Sequence, residues 1–422
     1  MTTITRAYRT ELDPTSVQQA ALLRHCGAAR WAYNWGLARK LEDRRAGRPM
    51  RSAISLHKEL NKLKDTRFPW LREVSKCAPQ EALRNLDRAF ANQRSGKRGR
   101  KVWGLPRFKS RKRWIGSFRI SAGTSVEPRR IRLPRIGWIR LKEDDYLPTN
   151  SRLLSVTVSE RCQRWFVSVS VRENVMVEGD PTRVVGVDLG IRKLVTTSDN
   201  VVFNNPRALD KARARLRHAQ RQLARKRRGS RNLAKAAERV ARLYMRVANV
   251  RRDALHKITT TLTRTKSVIV IEDLHPSDML RNRRIARALS DAAVGELRRQ
   301  LEYKAVWYGS RIVVAPSFFP SSKRCACGGC DTVLREISLS SRTFTCPACG
   351  CSRDRDLNAA LNLRNLAVSS TDKRIACGES VSPPAGAAGI DEAGTARAPF
   401  GRVGGERPFK PLARPRAAAR QA

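Results

Sequence analysis

The chain has 422 residues, and 86 Lys+Arg against 37 Asp+Glu leave a formal charge of +49. A hydrophobic fraction of 41% supports real cores and excludes a mere basic tail; at about 150 residues per domain, two or three domains are expected. That much positive charge repels itself unless a polyanion neutralises it, so nucleic acid is the expected partner, and no apolar run approaches the ~18 residues that a membrane-spanning helix needs.

The N-terminal segment MTTITRAYRTELDP lacks a signal-peptide core, which points to the cytoplasm. Residues 1–10 alternate (Ile4, Arg6, Tyr8, Thr10) and read as a strand. Asp13-Pro14 then offers an N-cap and a first-turn proline, and Val17, Ala21, Ala28, Trp31, Trp35 and Ala38 recur at helical spacing. A second helical stretch is expected over residues 75–93. It carries Gln80, whose amide suits a base edge, although a solvated helix face is the plainer reading. Between 94 and 113 stand ten Lys/Arg and no acid, with Trp103 and Phe108 interleaved. Rings among cations favour a nucleic-acid contact over a solvated loop, and Arg107 and Lys109 are the candidates there.

From Phe118 to Arg172 the period switches to two, as in a small barrel or sandwich that the N-terminal strand could join. Residues 207–252 are helical in pattern and carry 17 Lys/Arg against two acids, Arg225 and Lys226 among them. A helix is expected over 290–307 and a strand at RIVVAP. Residues 378–422 hold seven Gly, six Pro and eleven Ala, a composition that cannot bury a core and is expected to be disordered.

Three acids and a group of thiols carry the chemistry. Asp188 follows the apolar run VVGV and Glu272 follows VIVI, so each ends a buried strand, where a carboxylate is costly unless paired or metal-bound. Asp356 opens the helix of SRDRDLNAALNL; by residue type alone an N-cap role would suffice for it. Together the three would suit divalent metal, and two ions about 4 Å apart can drive phosphodiester hydrolysis. Six of the ten cysteines fall between 325 and 351. Cys327-x2-Cys330-x15-Cys346-x2-Cys349 has the spacing of a zinc ribbon with two knuckles joined by a hairpin, TVLREISLSSRTFT. Cys325 and Cys351 flank the set, and Cys325 could replace Cys327.

VVGVDLGIRKLVTTSDN, IVIEDL, the cysteine ribbon and RDLNAALN, in that order, resemble the split RuvC nuclease of TnpB proteins, the OrfB-type RNA-guided endonucleases of bacterial insertion sequences. HCGAARWAYNWGL, APQEALRNLDRAF and GLPRFKSR extend the resemblance upstream, so that it covers roughly residues 1–366. Compact type V CRISPR effectors share this core and are the alternative, as are nuclease-inactive relatives; a conventional DDE transposase would need no RNA. The resemblance implies an α+β multidomain fold. A β-barrel wedge domain (1–10 and 114–180) would hold a helical recognition insert (11–113). An RNase H-like RuvC domain (181–320 and 352–370) would be split by the zinc ribbon (321–351), with a disordered tail over 371–422. It further implies catalytic Asp188, Glu272 and Asp356 with Mg²⁺ or Mn²⁺, structural Zn²⁺, a guide RNA from the transposon end, and duplex target DNA bearing a short adjacent motif. Asp354 is a rival for the last acid, although Asp356 holds the family position two residues before Asn358.

Overall fold

Strand β1 (Thr2–Asp13) runs along β7 (Arg164–Val175) in an antiparallel register from Thr2 opposite Val175 to Leu12 opposite Trp165. In this computed structural model, which describes residues 2–96, 104–111, 116–175, 183–338 and 341–376, the chain divides into two compact units at residues 176 and 177. The first unit is a seven-stranded antiparallel sheet. Its other strands are β2 (Ser117–Ile120), β3 (Ser125–Glu127), β4 (Arg130–Leu133), β5 (Gly137–Leu141) and β6 (Arg152–Arg161), and the order is β2-β6-β7-β1-β5-β4-β3. The N-terminal strand therefore does join the later strands. Alternation explains the buried face: Val167, Val169 and Val171 point inward with Phe118, Ile120, Ile139 and Val158.

Helices α1 (Ser16–Arg45), α2 (Ala53–Leu63) and α3 (Cys77–Gly96) are inserted between β1 and β2. The N-cap of α1 is Thr15, not Asp13. Asp13 stays in the sheet opposite Arg140, and Thr15 forms a capping box with Gln18. Helix α2 was not read from the sequence, although Ser52 caps it and Ala53, Leu56 and Leu60 form its buried stripe.

The second unit centres on a five-stranded sheet. It contains β8 (Val184–Leu189), β9 (Lys193–Thr197), β10 (Val202–Asn204), β11 (Val268–Ile271) and β12 (Arg311–Val314), in the order β10-β9-β8-β11-β12. Strands β8, β11 and β12 are parallel, whereas β9 and β10 are antiparallel additions. Helices α4 (Ala208–Ala224) and α5 (Arg231–Thr265) follow β10. Between β11 and β12 lie α6 (Pro276–Met279), α7 (Ala286–Ala292) and α8 (Val294–Tyr308). The single helix expected over 290–307 is broken at Ala293, whose φ of 53° is left-handed and cannot continue a right-handed helix.

Val185, Val187, Ile269 and Ile271 pack against Leu255, Ile258, Leu297 and Leu301 of α5 and α8. On the other face Val270 packs against Leu363 and Ala367 of α9 (Arg355–Ala376). Cover on both faces is why these strands read as unbroken apolar runs. Helix α9 continues to Ala376, past the start of the expected tail; residues 377–422 lie outside the described residues. Among the described residues of the expected hairpin between the knuckles, no strands pair with each other. Strand β13 (Thr343–Thr345) instead joins β14 (Ser352–Asp354), beyond the second knuckle.

Candidate functional site

Parallel pairing of Val187 with Ile271 makes Asp188 and Glu272 the next residues on neighbouring strands, at the same sheet edge. Helix α9 lies over β8 and carries Asp356 in its first turn. Gly186 permits that approach: a Cβ there would stand 1.9 Å from the Ala360 carbonyl oxygen and 2.5 Å from the Arg364 nitrogen. Three acids far apart in sequence are thus brought together. Burial, then the charges of Glu272 and Asp356, push the Asp188 carboxyl well above its ordinary 3.8. Burial also raises Glu272, against a hydrogen bond donated by the Ser321 hydroxyl. A divalent cation would turn this mutual repulsion into attraction, and the all-oxygen donor set suits Mg²⁺ or Mn²⁺. By donor type the three acids suit such a cation; among the described residues, the one group of three or more possible ligands whose donor atoms all lie within 4.8 Å of one another is made of thiols.

The neighbouring side chains were not legible in the sequence. Arg192, Lys193, Arg207, Arg342, Asn204 and Asn205 line a cleft of about 550 Å³ beside Asp354 and Asp356. Four cations and two amides there suit a phosphodiester backbone. Asn358 donates to the Arg324 carbonyl at 2.7 Å and accepts from the Ala326 N–H at 3.2 Å. Asn362 donates to the Ser321 carbonyl at 2.8 Å. These amides tie α9 to the segment entering the cysteine cluster; the only sequence signal was two asparagines on the apolar side of a helix.

Of the two ligand sets that the sequence leaves open, the structure brings together the one with Cys325 in place of Cys327. Cys325, Cys330, Cys346 and Cys349 place their Sγ atoms within 4.8 Å of one another. Cys325 to Cys349 is 3.7 Å and Cys330 to Cys346 is 3.6 Å. Tetrahedral zinc with Zn–S bonds of about 2.3 Å requires sulfurs about 3.8 Å apart, so the four thiols fit zinc. Cys327 lies outside this tetrad, although its side chain also interacts with Cys325 and Cys349: Arg353 Nη2 donates to Cys327 at 2.9 Å and to Cys351 at 2.7 Å, which engages this second pair of thiols. The backbone N–H of Cys349 pulls the Cys346 thiol down to about 6, whereas burial pushes Cys325 up.

The candidate nucleic-acid contacts are scattered over the two units. Gln80 is half-buried in the first turn of α3, and Arg107 is exposed. Lys109 is held by Asn34 through both backbone groups, at 3.0 and 2.8 Å, and its ammonium lies 3.9 Å from the Tyr33 ring centre. Burial lowers its pKa to about 8. Arg225 and Lys226 are exposed in the turn between α4 and α5. Trp103 lies outside the described residues.

Three family models match the chain. They are OrfB_IS605, described as "Probable transposase", over residues 166–283; the Cas12f1-like TNB domain over 295–363; and the OrfB_IS605 helix-turn-helix domain over 1–48. The last segment is here a strand followed by one long helix. A "Putative RNA-guided DNA endonuclease" of Streptomyces pristinaespiralis is 38% identical, covering 91% of this chain and 93% of its own length. The "Putative RNA-guided DNA endonuclease InsQ" of Escherichia coli is 33% identical over 89% of this chain and 94% of its own. Among solved structures, the mini-RNA-guided endonuclease CRISPR-Cas phi 3 has a TM-score of 0.43 at 10% identity, over 90% of this chain and 94% of that one. Among the described residues, no helix is long and apolar enough to cross a membrane. With a relative at 38% identity matched over nearly the whole of both sequences, the chain belongs to the OrfB (TnpB) family of IS605-type transposon proteins.

Proposed function

We propose that the chain is an RNA-guided DNA endonuclease in which Asp188, Glu272 and Asp356 hold Mg²⁺ or Mn²⁺ and hydrolyse DNA phosphodiesters. The observation that carries this reading is the convergence of the three carboxylates at the edge of the parallel strands, beside a cleft lined by four cations. Bound metal supplies activation of water and charge stabilisation at the leaving oxygen. The chain's own residues do the rest. Arg192, Arg207 and Arg342 hold the strand's phosphates, and Ser321 orients Glu272 through its hydroxyl. Lys193 ties the start of α9 to β9, with its Nζ 2.7 Å from Asp354 and 3.8 Å from Asp356.

On this reading the five-stranded unit is the RNase H-like RuvC domain, and Cys325, Cys330, Cys346 and Cys349 hold structural zinc within it. The seven-stranded unit is the wedge domain with its recognition insert. Gln80, Arg107, Arg225 and Lys226 contact nucleic acid, and Lys109 does so through its segment. The partners are an RNA from the transposon end and duplex DNA with a short adjacent motif. Base pairing reads the target, and the protein reads the motif.

The test is to purify the protein with its RNA, sequence that RNA, and add Mg²⁺ and a plasmid carrying the matching target. Cleavage that disappears with chelator and in Asp188→Ala, with RNA binding retained, supports the reading. Cleavage unaffected by Asp188→Ala refutes the site.

A further inference from the structure

Phe318, in the loop that leads from β12 to Ser321 and its bond to Glu272, has its side chain wholly exposed, at 101% of the reference area, and its backbone at a φ of 65°. A single exposed apolar residue is ordinary. A bulky ring in the left-handed region is not, because its Cβ crowds the backbone there. Of the eight non-glycine residues with positive φ among the described residues, Phe318 is the only aromatic one.

The loop is not slack. Immediately before the ring, Ser317 Oγ donates to Asp273 Oδ2 at 2.8 Å, and Asp273 Oδ1 accepts from Arg298 at 3.0 Å. After it, the Phe319 N–H bonds to the Pro316 carbonyl at 3.1 Å, and Phe319 packs against the core beneath α9. Ser321 then bonds to Glu272. The residues on either side are thus fastened to Glu272, Asp273 and the core, and the one ring between them is held in water. Strain and exposure together are unfavourable for folding, and such local costs cluster where a ligand is met.

Resting on the nuclease reading above, we propose that Phe318 is a stacking platform for an unpaired nucleobase of the DNA strand delivered to Asp188, Glu272 and Asp356. A single strand offers flat π faces that duplex DNA hides. Base–aromatic stacking also tolerates any base, as a site cutting whatever sequence is presented to it requires. One stacked base near the acids fixes the register of the strand, so the scissile phosphate is set by position rather than by sequence.

The experiment uses the full-length, RNA-loaded protein and measures single-turnover Mg²⁺-dependent cleavage of a guided target. The variants are Phe318→Ala, Phe318→Leu, Phe318→Gly and Phe318→Trp, with RNA and target-duplex binding measured in parallel. The Ala and Leu variants are expected to cut about tenfold more slowly, within the range of one lost stacking contact, at unchanged binding. Phe318→Trp should stay within about twofold of the parent, since any aromatic face can stack. Phe318→Gly relieves the backbone strain, so it should melt no lower than the parent and still cut slowly, which separates stacking from folding. Unchanged cutting by Phe318→Ala, or rescue by Phe318→Leu as full as that by Phe318→Trp, overturns the platform alone. Absence of cleavage by the unaltered protein overturns the nuclease reading and the platform with it.

Discussion

Asp354 Oδ1 accepts the backbone N–H of Asp356 at 2.9 Å while its Oδ2 accepts from Lys193 Nζ at 2.7 Å. One of two aspartates, two residues apart, is therefore committed to capping α9 and anchoring it to β9. It also accepts the Leu357 N–H at 3.2 Å, as an N-cap does. Against its burial, the Lys193 bond holds the Asp354 carboxyl below its usual range. Asp356 stands farther from Lys193, at 3.8 Å, and its charge raises the Asp188 carboxyl more than that of Asp354 does.

This division gives the first prediction. Asp356→Ala should abolish DNA cleavage with little change in melting temperature. Asp354→Ala should lower stability by about 1 kcal/mol, the usual cost of a lost cap, and leave measurable cleavage. Thermal melts and plasmid assays on the two variants check this; the opposite pattern would move the third acid to Asp354.

The cysteine cluster separates two thiols in the same way. Cys325→Ser should lose zinc and unfold the ribbon locally, because metal binding there contributes folding free energy. Cys327→Ser should keep about one zinc per chain, since its sulfur faces Arg353 instead. Elemental analysis of the purified variants decides. Zinc retained in Cys325→Ser and lost in Cys327→Ser would reverse the assignment.

Gly186 is the position where a methyl group should do most harm. Gly186→Ala places a carbon 1.9 Å from a backbone oxygen of α9, which no side-chain rotation relieves. Overpacking of this kind costs about 1–3 kcal/mol or more. Because this contact seats α9, whose first turn carries Asp356, against β8, the variant should lose cleavage beyond what its lowered melting point explains, read at a temperature where it remains folded.

The raised carboxyls predict a pH dependence. Without metal, Asp188 and Glu272 titrate above their unfolded values of 3.8 and 4.5, so the native state holds more protons. Stability from these groups is then greatest below those values and falls as pH rises through the shifted range. Asp188→Asn keeps the shape and removes the charge. It should melt a few degrees higher than the parent at neutral pH without metal, on the scale of about 2–4 °C per kcal/mol. It should also lose most of the stabilisation that added Mg²⁺ gives the parent. Equal melting of the two at neutral pH in chelator would contradict the strain assigned to the acid cluster.

Much of this was legible in the sequence, for identifiable reasons. Continuous apolar runs ending in Asp188 and Glu272 report strands covered on both faces, and the acids stand out because buried strands seldom end in charge. Period-two alternation reported the seven-stranded sheet, and the isolated first strand pairs where that reading put it. What the sequence hid depends on contacts between distant segments. Spacing cannot choose between Cys325 and Cys327, because both lie within reach of Cys330; the contact that sets Cys327 apart is with Arg353, 26 residues beyond it. The cap at Thr15 was missed because Asp13-Pro14 imitates a helix start while Asp13 remains in the sheet. The basic cleft joins residues 192 and 342 and has no local signature.

On the proposed mechanism, RNA held by this protein directs the acid trio to a DNA sequence. The most direct test is to replace only the terminal guide segment of the copurifying RNA and supply two plasmids, one matching the old segment and one the new, each with the same flanking sequence. Cleavage should follow the new segment, require Mg²⁺, and vanish with Asp188→Ala. Cleavage that stays on the old target, or that proceeds at one site in protein stripped of RNA by high salt, would contradict guidance by RNA.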